Sequence, residues 1–435
     1  MTFETQLKSP RVWSWALYDF ANSAFATTVL AVVFNVYFVK HVVGPAGFTV
    51  GSWNIPAEAL WSYTVAASML FLFLLMPLLG AIADHSGRKR QFLIIHWLIG
   101  SLASAALFFV RPGTVLLAMG LFMLANIGFA GGNVFYNAFL PSLGDQKTVG
   151  RLSGFGWAVG YLGGGLCLAL NLWMIRAPHM FGLSSGDFIP VRASLGVVGL
   201  WWIVFSIPMV FWVKETGTIT LLRPDQSYIR LGWGRLCDTY RNVRHYRNLF
   251  KFWISYLLYN DGIETMILMA SVFGAQALGM SQDELVMCFL MIQGVAFLGA
   301  LLFGWMADKI RHKPTLFISL GVYTAVTVWA CLMTSSREFW VLGVVVGLVL
   351  GGSQAASRSF MTVLIPPEKN VEFFSFFALV GKLTTVLGPL TFGLVSQYAG
   401  LRAGVASLLV FFVMGALLLL FVKEPLTHST SPSSV

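Results

Sequence analysis

Asp19, Asp261, Glu264, Arg358 and Lys382 each lie inside a run of apolar residues. A charge in such a run is costly to bury, so it has to be paired or used. Asp261 and Glu264 are three residues apart and share a face if the run is helical. Two carboxylates that close disfavour double ionisation, which is the chemistry of a proton relay. Asp19 is opposite in sign to Arg358, and Asp261 and Glu264 are opposite to Lys382. Buried charges are expected in such pairs. Tyr18, Asn22, Asn133, Asn137 and Gln354 lie close to these charges in sequence or in matching runs. The set is a candidate lining for a site that takes a small polar solute and protons. A purely structural set of ion pairs is the alternative.

A second constellation sits where apolar runs end. Residues 78–92 read LLGAIADHSGRKRQF, and a looser copy, LFGWMADKIRHKPTLF, starts at Leu302. The first copy sets out Gly80, Asp84, Gly87, Arg88 and Lys89. The second keeps Gly304, Asp308, Lys309 and Lys313 but has Arg311 in the place of Gly87. Asp84 falls at the C-terminal end of its own helix, the unfavourable end for an anion. It therefore needs a partner, such as Arg88 or the N-terminus of another helix. Gly80 would let a neighbouring helix approach closely.

The elements that position these residues follow from composition. The chain has 435 residues, 57% hydrophobic and 11% charged. A soluble domain carries about 25% charged residues, so this chain cannot cover a water-facing surface. A bilayer core needs roughly 20 apolar residues per helical span. Twelve such windows are expected at 12–39, 58–83, 91–110, 114–140, 153–174, 192–213, 249–277, 284–307, 315–335, 339–364, 372–398 and 402–422. They are too long, and too apolar all round, for membrane strands. Of the 28 Lys and Arg, 20 fall on the side that also holds the N-terminus and 6 on the other. That bias places both termini in the cytoplasm. It also absorbs the net charge of +10, so no nucleic-acid partner is expected. Residues 1–10 lack an apolar core, and no cleaved signal peptide is expected.

The longest internal polar stretch, 214–247, divides the windows six and six. The halves repeat each other. GGNVFYNAFLPSLGD near window four is matched by GGSQAASRSFMTVLIPPE near window ten, and Leu17-Tyr18-Asp19 by Leu258-Tyr259-Asn260-Asp261. Two parallel repeats of six helices are a known transporter plan. The expected domains are 1–213, a linker 214–247, 248–424, and a disordered tail 425–435. Gly156, Gly160 and Gly164 form a small-residue ridge for close helix packing.

The charged turn closely resembles the signature loop of the major facilitator superfamily. SPRVWSWALYDFANSAFATTV (9–29), NVFYNAFLP (133–141) and GGSQAASRSFMTVLIP (351–366) resemble the UMF1 / Atg22-like family within it, over most of the chain. The resemblance implies an all-α fold of two six-helix bundles. It implies that the charged turns clamp the bundles on the cytoplasmic side, and that windows one, four, seven and ten line the central cavity. It also implies a solute exporter, with amino acids as the cargo class. The compact length suits a bacterial inner membrane, and a monomer is expected. No cofactor and no metal are expected, and no enzyme: Gly182–Gly186 matches G-x-S-x-G without a preceding strand, and P-loop and metal spacings are missing. A transport-inactive receptor on the same fold is the other class of function.

Overall fold

The computed structural model describes residues 3–55, 57–144, 147–184, 186–214, 246–365 and 369–425, with a few positions between 230 and 237. Almost all of the 214–247 linker, the tail from 426 onward and Ser185 lie outside the described residues.

The described residues form twelve long helices. These are α1 (Pro10–Val43), α2 (Ala57–Ser86), α3 (Lys89–Ala106), α4 (Val115–Leu143), α5 (Val149–Arg176), α6 (Ile189–Trp212), α7 (Arg247–Leu278), α8 (Gln282–Ile310), α9 (His312–Leu332), α10 (Ser336–Leu364), α11 (Asn370–Ala399) and α12 (Leu401–Leu420). Over their described residues, nine are long and apolar enough to cross a bilayer. The other three are α2, α7 and α11. In α7 the first turns hold Arg247 and Lys251, and the middle holds Asn260, Asp261 and Glu264. Large apolar side chains such as Leu116, Phe211 and Leu332 face outward, which water would penalise and lipid does not.

Most helices run a few residues beyond the expected windows, because polar and charged residues complete the end turns. Ser281 and Ser335 each form a capping box, with Glu284 and Glu338 three residues on. Each box satisfies backbone donors that a bare helix start would leave unpaired. In α1 the α-helix gives way to wider π-helical turns at Phe25–Val32 and Phe38–Val43. The 44–57 connection is more ordered than the sequence suggests. It holds a two-stranded antiparallel hairpin, Phe48–Val50 with Trp53–Ile55. Gly51 opens its two-residue turn with a φ of +61°, which glycine adopts without penalty.

The helices pack mainly within two sets, α1–α6 and α7–α12. Contacts between the sets run through α5 against α8 and α10, and through α11 against α2 and α4. The α5–α8 crossing is close because it is built from glycines. A Cβ on Gly304 would lie 2.7 Å from the Gly150 carbonyl oxygen and 2.9 Å from the Gly154 Cα. The Gly156 ridge meets α1 in the same way: a Cβ on Gly156 would press into the Trp15 ring, and one on Gly164 into Thr27.

The chain after α12 returns to cap α9. The Glu424 carboxylate accepts from the backbone N–H groups of His312 at 2.8 Å and Lys313 at 3.3 Å. It also lies 3.0 Å from His312 Nδ1 and 3.4 Å from Arg311 Nε. Lys313 Nζ donates to the carbonyls of Leu420 and Val422, both at 2.8 Å. Burial alone would raise the Glu424 carboxyl; the hydrogen bonds from the His312 ring and backbone and the Lys313 amide outweigh it and hold the group below its usual value. A depressed carboxyl stabilises the fold fully above its unfolded value of about 4.3 and loses that contribution as pH falls through the folded one. Glu424→Ala should therefore cost about 1–2 kcal/mol at neutral pH, the size of a lost helix cap. Thermal unfolding of both proteins in one detergent, from pH 7 to pH 3, checks this. The gap should narrow below about pH 4, and a gap that stays constant into acid would show that another group is responsible.

Candidate functional site

Three helical stripes converge on one seam. On α10, Gln354 and Arg358 are one turn apart. On α5, Ser153, Trp157 and Tyr161 follow at the same spacing. On α1, Trp15 and Asp19 do likewise. Residues four apart on a helix lie one above the other, so each helix offers a single polar or aromatic edge to the others.

Arg358 is the centre. It comes from the second half of the chain, yet the side-chain partners found for it belong to the first. Its Nε donates to Ser153 Oγ at 2.9 Å, and its Nη2 donates to the Ser153 carbonyl at 2.5 Å. Its Nη1 lies 3.4 Å from Asn137 Oδ1 and 3.5 Å from Asp19 Oδ2. The guanidinium carbon stands over three rings, 5.1 Å from Trp15, 5.7 Å from Tyr136 and 5.2 Å from Trp157. Arg358 is 4% exposed and Asp19 6%. Each distance to a ring is within the range of a cation–π contact.

The first half prepares this cage by itself. Tyr136 OH donates to Asp19 Oδ2 at 3.1 Å. Trp15 stacks on Tyr136 with centroids 4.7 Å apart, and its indole N–H donates to the Tyr136 carbonyl at 3.1 Å. Gly156 has to lack a side chain, since a Cβ there would meet both Trp15 and Arg358 Nη2. Two further contacts continue the seam. Ser153 Oγ donates to the Ala355 carbonyl at 2.8 Å, and Tyr161 OH donates to Gln354 Oε1.

The pairing expected for Asp19 with Arg358 is therefore present in the geometry, and Asn137 and Gln354 join it. Asn22 and Asn133 do not reach the seam contacts; Asn22 Nδ2 donates to Asn133 Oδ1 at 2.7 Å and ties α1 to α4. Tyr18 is buried against Tyr136, with its hydroxyl over Gly132. Asp261 turns into its own half. Its Oδ2 accepts from the Gly388 N–H of α11 at 2.7 Å, one residue before Pro389 within that helix. Glu264 is half-buried on the same helix. Lys382 falls on α11, but its side chain lies outside the described residues, and so does the pairing expected of it. Trp15, Tyr136, Ser153, Trp157 and Tyr161 were not among the expected residues. A signal was available for four of them: Trp15 stands four residues from Asp19, Tyr136 next to Asn137, Trp157 next to Gly156 and Tyr161 next to Gly160.

The charged turns take two different partners. Asp308, at the end of α8, accepts from the backbone N–H groups of Gly150 at 2.7 Å and Arg151 at 2.9 Å, and from Arg151 Nε at 3.0 Å. These are the first turn of α5, so an anion badly placed on its own helix is stabilised at the start of a helix in the other half. Asp84 pairs at 3.0 Å with Lys89 rather than with Arg88, which is exposed. Gly80 is buried within α2. Gly87 takes a φ of +67°, and Arg311, in the matching place, takes +78°. Both turns carry a positive φ at this place although only one has the glycine for it. Lys309 rests over the Trp305 ring at 5.0 Å. That contact and those of Lys313 lie within the second half, so the structure assigns neither lysine the clamp expected of it.

A family model described as "Vacuole effluxer Atg22 like" matches residues 8–427. The "Uncharacterized MFS-type transporter YxiO" of Bacillus subtilis (strain 168) is 32% identical over 96% of both chains. "Autophagy-related protein 22" of Coccidioides immitis (strain RS) is 26% identical over 78% of this chain and 68% of its own. Among solved structures, the proton:xylose symporter XylE superposes with a TM-score of 0.69 at 14% identity, covering 97% of this chain and 96% of that one. A bacterial homologue of the iron transporter ferroportin, in its outward-facing state, gives 0.67 at 13% identity over 97% and 99%. The fold is that of the major facilitator superfamily, whose members found here are transporters and not enzymes. With the match spanning nearly the whole sequence, this integral multi-pass membrane protein belongs to the Atg22-like family.

Proposed function

We propose that the chain is a secondary active transporter that moves a small polar solute, an amino acid or related zwitterion, by alternating access. Twelve spans, both termini in the cytoplasm, and residence in a bacterial inner membrane as a monomer complete the reading. The two moving bodies are 1–213 and 248–424. The observation that carries it is Arg358, a buried cation of one half held by aromatic rings, a carboxylate and a carbonyl of the other. Such a network costs heavily when half-dismantled. The halves then separate readily only when something replaces the lost partners, and a zwitterion presents one group to each charge. Asp308 on the start of α5 fits a clamp between the halves at the cytoplasmic end. Export is favoured by the effluxer description of the family. Proton coupling is assigned to Asp261 and Glu264, with Asp261 holding the amide of Gly388, beside Pro389 in α11.

Counterflow in proteoliposomes with labelled amino acids tests the reading directly; no accumulation of any of them at normal reconstitution would sink it. Asp19→Asn or Arg358→Gln alone should each destabilise the protein by about 3–5 kcal/mol, because each strands a buried charge. The double variant should melt above either single one and still transport poorly; additive losses without rescue would show that the two do not act as a pair. Asp308→Ala and Asp84→Asn should insert normally yet slow uptake severalfold, and normal flux at normal expression would remove the clamp. Replacing Asp261 and Glu264 together by Asn and Gln should leave any remaining flux indifferent to an imposed pH gradient. Persistence of that dependence would place the relay elsewhere.

A further inference from the structure

The contacts around Arg358 have a chemical asymmetry. Take the guanidinium away, and the first half keeps three ring faces, the Asp19 carboxylate, the Ser153 carbonyl and Asn137 Oδ1. Every one of these is an acceptor or a π-face. Apart from the amide NH2 of Asn137, the side-chain donors nearby are already committed. Tyr136 OH serves Asp19 and Trp15 Nε1 serves the Tyr136 carbonyl. Trp157 Nε1, buried and without an acceptor among the described residues, adds one donor at the rim. A pocket of this make-up suits a cation that carries several N–H donors, and it repels an anion.

We propose that the cage of Trp15, Tyr136, Trp157 and Asp19 is the binding site for the cationic end of the cargo, an ammonium or guanidinium group. Arg358 is its tethered stand-in, seated there while the seam is shut. The inference rests on the transport reading above and narrows it: the cargo must carry an organic cation. The geometry supports it beyond the ion pair alone. An ion pair between helices needs one carboxylate, whereas here three aromatic residues from three helices surround the cation. Gly156 keeps the wall open for it at a position where a Cβ would meet both ring and guanidinium. A tethered cation also explains how the site is kept from trapping other cations: it competes for the cage until the halves part, and the cargo's affinity is lowered by the fraction of time the cage is filled.

The test uses the purified full-length protein in detergent and methylguanidinium or ethylammonium chloride as probes, with sodium propionate as the anionic control. Binding is read by titration calorimetry. Arg358→Gln should bind methylguanidinium at least tenfold more tightly than the wild-type protein, since its internal competitor is gone. Trp157→Leu and Asp19→Asn, each in the wild-type background, should weaken or abolish binding of both cations. Propionate should bind none of the proteins through this site. Equal or weaker cation binding by Arg358→Gln overturns the proposal, and so does binding indifferent to Trp157→Leu. If Arg358→Gln does not fold, the Trp157→Leu and Asp19→Asn comparisons decide by themselves. Failure here is separable from failure of transport. A protein that moves neutral or anionic solutes and ignores the cations refutes only the cage. One that binds cations in the cage yet shows no flux refutes only the transport.

Discussion

A single buried guanidinium is the constraint on which the arrangement of the two halves depends. Removing Arg358 from water costs several kcal/mol even after relaxation, and that cost is met by groups that all belong to the other half. The contact is therefore strong only while the halves stay in register. A shift of one turn along the seam would leave Arg358 buried without its partners and Asp19 without its countercharge, so intermediate positions are disfavoured and two distinct arrangements are favoured. Bistability of this kind is what alternating access requires of a packed interface.

Glycines determine whether that register can be reached. Gly150, Gly154 and Gly304 bring the backbones of α5 and α8 together at one end, and this places Asp308 over the first turn of α5. The same helix α5 then carries Ser153, Trp157 and Tyr161 up the seam to α10. One helix thus bears both the anion-binding N-terminus and the wall of the cation cage. Its position is fixed from the other side by α1, where Gly156, Gly160 and Gly164 accept Trp15, Asp19 and Thr27 against the backbone.

Much of this could be read from residue types alone. The windows around 12–39 and 339–364 located α1 and α10, since long apolar runs permit few alternatives in a membrane. Opposite charges inside them put Asp19 and Arg358 together, because the cost of leaving either alone is so large. The aromatic members escaped notice for a physical reason. In a chain that is 15% aromatic, Trp15, Tyr136 and Trp157 do not stand out from residues that merely face lipid. Only their spacing from Asp19, Asn137 and Gly156 sets them apart. Asp261 was legible as a buried acid but not as an acceptor for α11, because nothing in a one-dimensional pattern says that the Gly388 amide lies beside it. Lys309 and Lys313 read as clamp residues from their place after Asp308. The C-terminal segment, which no repeat predicted, draws Lys313 onto the carbonyls of Leu420 and Val422.

The two charged turns show how a repeated sequence becomes an asymmetric machine. Both need a left-handed residue three positions after the aspartate, and Gly87 supplies it without strain while Arg311 does not. The strained copy is the one whose side chain is engaged, since Arg311 Nε lies 3.4 Å from Glu424. That pair lies beside the cap on α9, so the conformational cost at Arg311 is offset by a contact the first copy has no counterpart for among the described residues. The aspartates diverge in the same manner. Asp84 is paired with Lys89, five residues on in the same half, whereas Asp308 is held by the backbone of the opposite half. A bond to Lys89 survives a relative movement of the halves, and a bond to the start of α5 does not. The Asp308 contact therefore depends on how the two halves meet, which the Asp84–Lys89 pair does not.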